Sequence, residues 1–245
     1  MGSIRRLAVA DVDNTLARGY YIWKFAKYLA EKDYFRPESI KEMLDISHEY
    51  MDEGASRMDY ETFARRWVQL FGRGIKGIER RRIEGLGKQY VSSHGGEIFG
   101  GAGELIAFLN GEGFTTLALS ASPADIVLPF AEAVGIRKTL ATTYRADGRG
   151  VYTGKVGRTN VVGTKADALG KFMTQRHLDR KILKESAGFG DSPHDVSFLS
   201  IVGYPYAINP DDELRRVAEA NGWDITDSPS GALKLVKARL AQDKT

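Results

Sequence analysis

The apolar positions change period along the chain, and that change divides it. Leu7-Ala8-Val9-Ala10 is a short unbroken apolar run, as expected of a buried strand, and it leads straight into Asp11, Asp13 and Thr15. From Tyr20 to Glu31 the apolar residues Ile22, Phe25, Ala26 and Leu29 recur at helical spacing. Pro37 suits the first turn of a second helix running to about Gly54, with Ile40, Met43, Leu44 and Ile46 available for burial. A third helix, Asp59 to Phe71, has Asp59 as its cap. Its aromatic-rich face of Tyr60, Phe63, Ala64, Trp67, Val68 and Leu70 reads as core. A fourth helical stretch runs from Ile75 to His94. Its Arg80-Arg81-Arg82 reads as a solvated face, the alternative being an anion-attracting surface near a substrate entrance.

The glycine-dense stretch Gly95 to Gly103 marks a change of direction or a hinge. Beyond it, strand and helix alternate. A helix at Glu104 to Asn110 precedes a strand at Thr115 to Leu119, which ends in Ser120-Ala121-Ser122-Pro123. A helix follows to Val134, then a strand at Lys138 to Tyr144, a turn at Ala146 to Gly150 and a short strand at Val151 to Thr153. Thr164 is the expected cap of a helix from Lys165 to about Arg176. The strand Ala187 to Gly190 reaches Asp191, and a helical turn passes through Phe198 and Leu199. The strand Tyr204 to Ile208, the helix Asp211 to Asn221 and an amphipathic tail from Ala232 to Leu240 complete the pattern. Such alternation predicts an α/β fold, a parallel sheet with helices on both faces. The predicted division is a core of residues 1–16 and 97–245 with a helical segment, 17–96, inserted after the first strand and its loop.

Composition removes several classes of function. With 42% hydrophobic and 27% charged residues among 245, neither disorder nor a fibrous class fits. No apolar run approaches a membrane span, and the first one turns acidic too soon for a signal peptide. The expectation is therefore a cytoplasmic protein without a membrane partner. The absence of cysteine excludes disulfides, thiolate metal sites and thiol nucleophiles. A net charge of +3 is too small to indicate nucleic acid. His48, His94, His177 and His194 have no metal-ligand spacing, and only His194 falls in a motif loop, as a neighbour of substrate.

In open parallel sheets, sites gather outside the carboxyl ends of the strands. There the chain carries Asp11-x-Asp13-x-Thr15, Ser120, Lys165 at the start of a helix, and Gly190-Asp191 with Asp195. Taken alone, the first of these is as consistent with an acidic turn capping a helix near Tyr20 as with a site. In this order the four motifs resemble the haloacid dehalogenase superfamily. The tail Asn209-Pro210-Asp211 to Gly222-Trp223 is similar to its phosphoserine-phosphatase-like branch. The resemblance implies a Rossmann-like doubly wound parallel-sheet core with a helical cap domain inserted after the first strand and catalytic loop.

It also implies a Mg2+-dependent phosphatase acting on a small phosphorylated metabolite, as a monomer or homodimer. Asp11 would be the nucleophile that forms an aspartyl-phosphate, and Asp13 the group that protonates the leaving alkoxide and then activates water. Ser120 and Lys165 would hold the phosphoryl group. The metal would be held by the Asp11 carboxylate, the Asp13 carbonyl and the Asp191 carboxylate, with Asp195 binding or orienting from behind. An all-oxygen donor set suits Mg2+. Lys165 is preferred to Lys155 because it begins a helix at the family's spacing before Asp191. Ser122 reads as a helix-start residue, and Thr15 as shaping the first loop and contacting phosphate. Phosphotransfer to an alcohol and a non-catalytic phosphate-binding role are the alternatives.

One stretch departs from the pattern. Phosphoserine phosphatases carry an acidic residue shortly after the first motif to meet the substrate ammonium. Here the residues are Leu16-Ala17-Arg18-Gly19-Tyr20-Tyr21. They disfavour a zwitterionic amino-acid substrate. Arg18 and Tyr20 become candidate contacts to a different leaving group, and packing at a hinge is the alternative reading.

Overall fold

The computed structural model describes residues 4–51, 58–160 and 165–242. Strand β1 (Leu7–Ala10) is followed by helices α1 (Tyr21–Glu31), α2 (Pro37–Met51), α3 (Tyr60–Gly74) and α4 (Arg80–Ser93), then α5 (Ala102–Gly111). Next come β2 (Thr115–Pro123), α6 (Ala124–Val134), β3 (Lys138–Thr142), and a hairpin of β4 (Tyr144–Ala146) and β5 (Tyr152–Val156). The chain continues through α7 (Lys165–Gln175), β6 (Ala187–Gly190), α8 (Val196–Leu199), β7 (Tyr204–Ile208), α9 (Asp212–Asn221), β8 (Asp224–Thr226) and α10 (Pro229–Gln242).

Six strands form one parallel sheet in the order β3-β2-β1-β6-β7-β8. The chain winds outward from β1 in both directions, so the crevice between β1 and β6 is the switch point where open α/β sheets place their sites. Alternation along β1 explains the double winding. Leu7 and Val9 pack with Leu117, Leu119, Leu169 and Leu214 in one cluster, while Ala8 and Ala10 pack with Phe25, Leu105 and Phe130 in the other. Both faces of the strand are closed, as the unbroken apolar run predicts.

The helical segment leaves and rejoins the core at one place. Arg18 donates its N–H to the Glu97 carbonyl (2.8 Å) and Phe99 donates to Leu16 (3.0 Å), so exit and return lie side by side. Among these helices α4 is bound closely to the core. A Cβ on Gly87 would stand 2.0 Å from the Asp125 carbonyl oxygen, and only a residue without one lets α4 meet α6 this closely. At the far side of the segment, the Tyr144 hydroxyl of the hairpin donates to the Val68 carbonyl of α3 (3.2 Å).

Three expectations change. The fourth helix begins at Arg80 rather than Ile75, because Ile75 caps the end of α3 and Gly77 adopts φ 89°, where a helix cannot run. The freed segment pairs with the hairpin instead, Gly77 N–H to Tyr152 (2.8 Å) and Arg80 N–H to Gly150 (2.8 Å). The stretch Lys138 to Tyr144 is two strands, β3 and the start of β4. The three-residue β8 escaped sequence reading, being too short to show a period. Asp59 caps α3 as expected, accepting from the Thr62 N–H (2.8 Å). The expected ends at Gly54 and cap at Thr164 lie outside the described residues.

Candidate active site

Asp11 leaves β1 with its N–H bonded to the Phe189 carbonyl of β6 (2.9 Å), which ties the first acidic loop to the strand that delivers Asp191. The loop then turns through Asn14 at φ 56°, a conformation asparagine tolerates better than most residues, and the Asn14 side chain accepts the Gly19 N–H (2.8 Å). Asn209, at φ 48°, reaches across to the Asn14 carbonyl (3.4 Å). Three strand ends are thereby fixed around one point.

At that point lie Asp11, Asp191 and Asp195, all buried, with one carboxylate oxygen from each lying within 4.8 Å of the others. Lys165, from the first turn of α7, places its ammonium 2.8 Å from Asp11 Oδ1 and 2.5 Å from Asp195 Oδ1. Burial works against the lysine charge, but the two carboxylates outweigh it and hold its pKa above the ordinary value. Lys155, by contrast, is exposed on the β4–β5 hairpin.

Burial pushes the Asp11 carboxyl up to about 7, with Asp195 and Asp13 adding repulsion and Lys165 opposing it. Asp191 is driven up to about 9 by burial and by the charges of Asp11 and Asp195. Three ionised carboxylates facing one ammonium carry a formal charge of −2, which one divalent cation balances. The donor set is oxygen only, which fits a hard ion. Within the set, Asp195 is already engaged: its Oδ2 accepts the N–H of Asp191 (3.0 Å) and of Ser192 (3.2 Å), and Lys165 holds Oδ1. Asp195 braces the loop, leaving Asp11 and Asp191 more open to an ion.

Asp13 stands beside this cluster under different control. Its Oδ1 accepts the Tyr21 N–H (2.7 Å) at the start of α1, and its Oδ2 accepts the hydroxyls of Ser122 (2.8 Å) and Ser120 (3.3 Å). Asp13 therefore does cap the helix near Tyr20, as one reading of the acidic turn expects, and does so beside the acidic cluster. Burial raises its pKa, and the Tyr21 and Ser122 donors restrain the rise.

The remaining predicted residues divide. Ser120 is fully buried next to Asp13, inside β2, which runs on to Pro123 and does not end at Leu119 as expected. Thr15 is also buried, and its hydroxyl donates to Asp191 Oδ1 (2.8 Å), so it orients a carboxylate. Arg18 turns away: its guanidinium donates to the Gly96 carbonyl (2.9 Å) and lies 4.8 Å over the Phe99 ring, both on the segment returning to the core. Tyr20 stays 57% exposed, yet its hydroxyl feels the charges of Asp191 and Asp13. Tyr21 is core, packed edge-on against Phe130 with ring centroids 5.6 Å apart.

Sequence reasoning missed Ser122 as the partner of Asp13, although its place two residues after Ser120 on a strand was a usable sign. It also missed Tyr60, whose ring stacks on His194 with centroids 3.3 Å apart and planes 14° from parallel. Nothing in the sequence brings the start of α3 to the Asp191 loop. Buried Asn160, which bonds the Ser120 and Leu140 carbonyls (both 2.9 Å) and so ties β2 to β3, was likewise invisible.

The chain thus carries a buried acidic cluster and a lysine at the switch point of a parallel sheet. Residues 8–200 match the model of the haloacid dehalogenase-like hydrolases, and the chain belongs to that family. It is an enzyme of the hydrolase class. The chain is similar to the phosphoserine phosphatase SerB1 of Mycobacterium tuberculosis strain H37Rv, 29% identical over 222 residues, 90% of this chain and 70% of that protein. A histidinol-phosphatase of Neisseria meningitidis serogroup C is 24% identical, over 91% of this chain and 98% of its own. The solved structure of a Bordetella pertussis Tohama I protein of unknown function shares the fold with a TM-score of 0.74, at 22% identity over 92% and 99% of the two chains. Among the described residues no helix is long and apolar enough to cross a membrane.

Proposed function

We propose that the protein is a Mg2+-dependent phosphomonoesterase for a small phosphorylated metabolite, working through an aspartyl-phosphate on Asp11. The observation that carries this reading is Lys165 at 2.8 Å from Asp11 within a buried cluster whose carboxylates outnumber its cations. Such a cluster suits a dianionic phosphate only when a divalent cation joins it. The Asp11 and Asp191 carboxylates and the Asp13 carbonyl would hold Mg2+, which when bound offsets the repulsion between carboxylate and phosphate and polarises the phosphoryl oxygens.

The protein groups supply the rest. Lys165 engages Asp11 Oδ1, leaving Oδ2 to attack phosphorus. As the phosphorus bond to Asp11 forms and the bond to the leaving oxygen breaks, Asp13 donates its proton to that oxygen. Burial raises the Asp13 pKa and so favours its protonated form, while the Tyr21, Ser120 and Ser122 donors hold its oxygens in place and stabilise the anion once the proton has gone. Asp13 then takes a proton from the water that attacks the aspartyl-phosphate, releasing phosphate and restoring Asp11. Ser120 and the Lys165 ammonium steady the phosphoryl oxygens. Residues 17–96 act as a cap over a core of residues 1–16 and 97–245. Support comes from their single crossing point at Leu16–Arg18 and Glu97–Phe99.

The experiment is phosphate release from a panel of phosphorylated metabolites by purified protein, with Mg2+ and with EDTA. Release is expected with Mg2+ only and is expected to disappear in Asp11→Asn. Full activity in that variant refutes the mechanism.

A further inference from the structure

The helical segment presents a row of aromatic rings that starts near the acidic loop. Tyr60, Phe63 and Trp67 share one face of α3 at helical spacing, with ring centroids 6.3 and 5.2 Å apart in turn. Phe63 stacks on Tyr50 of α2 at 4.3 Å, and Trp67 packs on Trp23 of α1 at 5.8 Å. A row of this kind is ordinarily core, and two observations argue otherwise. Tyr60, Phe63, Tyr50 and Trp23 are only half-buried and Tyr20 is exposed. The Trp67 indole N–H is buried without an acceptor among the described residues, whereas buried indoles usually find one.

The row begins beside the acidic cluster: the Tyr60 ring stacks on His194, which adjoins Asp195 in the Asp191 loop, and Tyr20 immediately precedes Tyr21, whose N–H Asp13 accepts. The charges of Lys165, Asp11 and Asp13 act on the Tyr60 hydroxyl, and those of Asp191 and Asp13 on that of Tyr20. His194 covers one face of the Tyr60 ring in near-parallel contact, which fixes the ring's orientation in advance. The leaving oxygen must lie beside Asp13 to receive its proton, so the organic group attached to that oxygen meets Tyr20 and Tyr60 first.

Resting on the phosphatase reading of this same site, we propose that Tyr20 and Tyr60, with His194 behind Tyr60, form the leaving-group wall. This wall selects phosphomonoesters whose leaving group is a flat unsaturated ring over those with aliphatic or amino-acid leaving groups. A flat ring stacks on a tyrosine face, whereas a saturated ring of the same size is thicker and lacks the complementary charge distribution.

The test compares two phosphonates that cannot be hydrolysed, 3-phenylpropylphosphonate and 3-cyclohexylpropylphosphonate, titrated calorimetrically into the full chain with Mg2+. The cyclohexyl compound is the more hydrophobic, so simple apolar transfer favours it. Stacking predicts the reverse, with the phenyl compound binding about tenfold tighter. In Tyr60→Leu the ratio is expected to fall to twofold or less, and in Tyr60→Phe, which keeps the ring, to persist. Equal affinities in the wild type, or an unchanged ratio in Tyr60→Leu, overturn the proposal. Phosphate release from 2-phenylethyl and 2-cyclohexylethyl phosphate, measured in parallel, separates the two readings. Release of both at equal kcat/KM with no binding preference removes ring selection and leaves the phosphatase. A binding preference without any release removes the phosphatase and leaves a ring-selecting phosphate site. Binding of neither phosphonate overturns the wall.

Discussion

The Ser122 hydroxyl lies 2.8 Å from Asp13 Oδ2, and through this contact β2 holds the carboxyl proposed to move protons. The same hydroxyl accepts the Ile22 N–H (3.1 Å), so one serine joins β2, the first acidic loop and α1. A hydrogen bond to the ionised form favours ionisation, and removing it makes the acid weaker. Ser122→Ala is therefore expected to lower kcat/KM by about 10- to 100-fold for esters with poor leaving groups, a part of the roughly 100- to 10,000-fold that general acid–base help contributes. The alkaline limb of the kcat/KM profile, which reports loss of the acid proton, is expected to move to higher pH. An unmoved limb places the proton elsewhere.

Cation binding is expected to show as stability as well as activity. Without a cation, Asp11 and Asp191 have folded pKa values raised to about 7 and about 9, so the stability they contribute while protonated is lost as pH rises through those values. Mg2+ at a hundredfold excess over its dissociation constant adds about 2.7 kcal/mol, roughly 5–10 °C in Tm for a chain of this size. Differential scanning fluorimetry should show a larger rise at pH 8 than at pH 6. In Asp191→Asn most of it should be lost.

A second raised carboxyl lies away from the site. Burial pushes Asp125, in the first turn of α6, up to about 6, against an opposing hydrogen bond donated by the Tyr152 hydroxyl. A raised acid contributes stability in full below its unfolded value of 3.8, and this is lost as pH rises through about 6. At 1.36 kcal/mol per unit the swing is roughly 3 kcal/mol. Asparagine keeps an oxygen for Tyr152 and cannot ionise. Urea denaturation of wild type and Asp125→Asn should give a stability difference that moves by about that amount in favour of the variant between pH 4 and pH 7.

Gly87→Ala sets helix propensity against packing. Alanine favours the helical backbone of α4 by about 1 kcal/mol, whereas forcing an atom into a filled contact costs about 1–3 kcal/mol and more when the neighbour is backbone. The neighbour here is the Asp125 carbonyl at 2.0 Å. Stability in urea is expected to drop by about 2 kcal/mol or more, with an unchanged m-value.

The legible parts of the candidate site were those in which a polar residue interrupts an apolar run. Asp11, Ser120 and Asp191 each follow such a run, and Lys165 opens the helix that precedes β6. What stayed hidden depends on where separate elements meet. Tyr60 stands on a helix face that reads as core, and only the fold lays it on His194. Arg18 carries the right charge for a substrate contact, but the adjacent segment returning to the core captures it. The start of α4 was misplaced because the apolar spacing continues through Ile75 and Ile78, while Gly77 and the hairpin decide the backbone there.

The contact at Gly87 separates what the chain connects. In sequence, α1 to α4 form one insertion with a single root, and such an insertion invites description as one swinging lid. Packing assigns its members to different sides. α4 is pressed against α6, whereas α3 is joined to the β4–β5 hairpin through Val68 and Tyr144 and meets the Asp191 loop where Tyr60 stacks on His194. The turn from Ile75 to Glu79 that joins the two helices is itself pinned to the hairpin, the Gly77 N–H donating to Tyr152 (2.8 Å) and the Tyr152 N–H to Ile78 (2.9 Å). The insertion is thus fastened along its length as well as at its root.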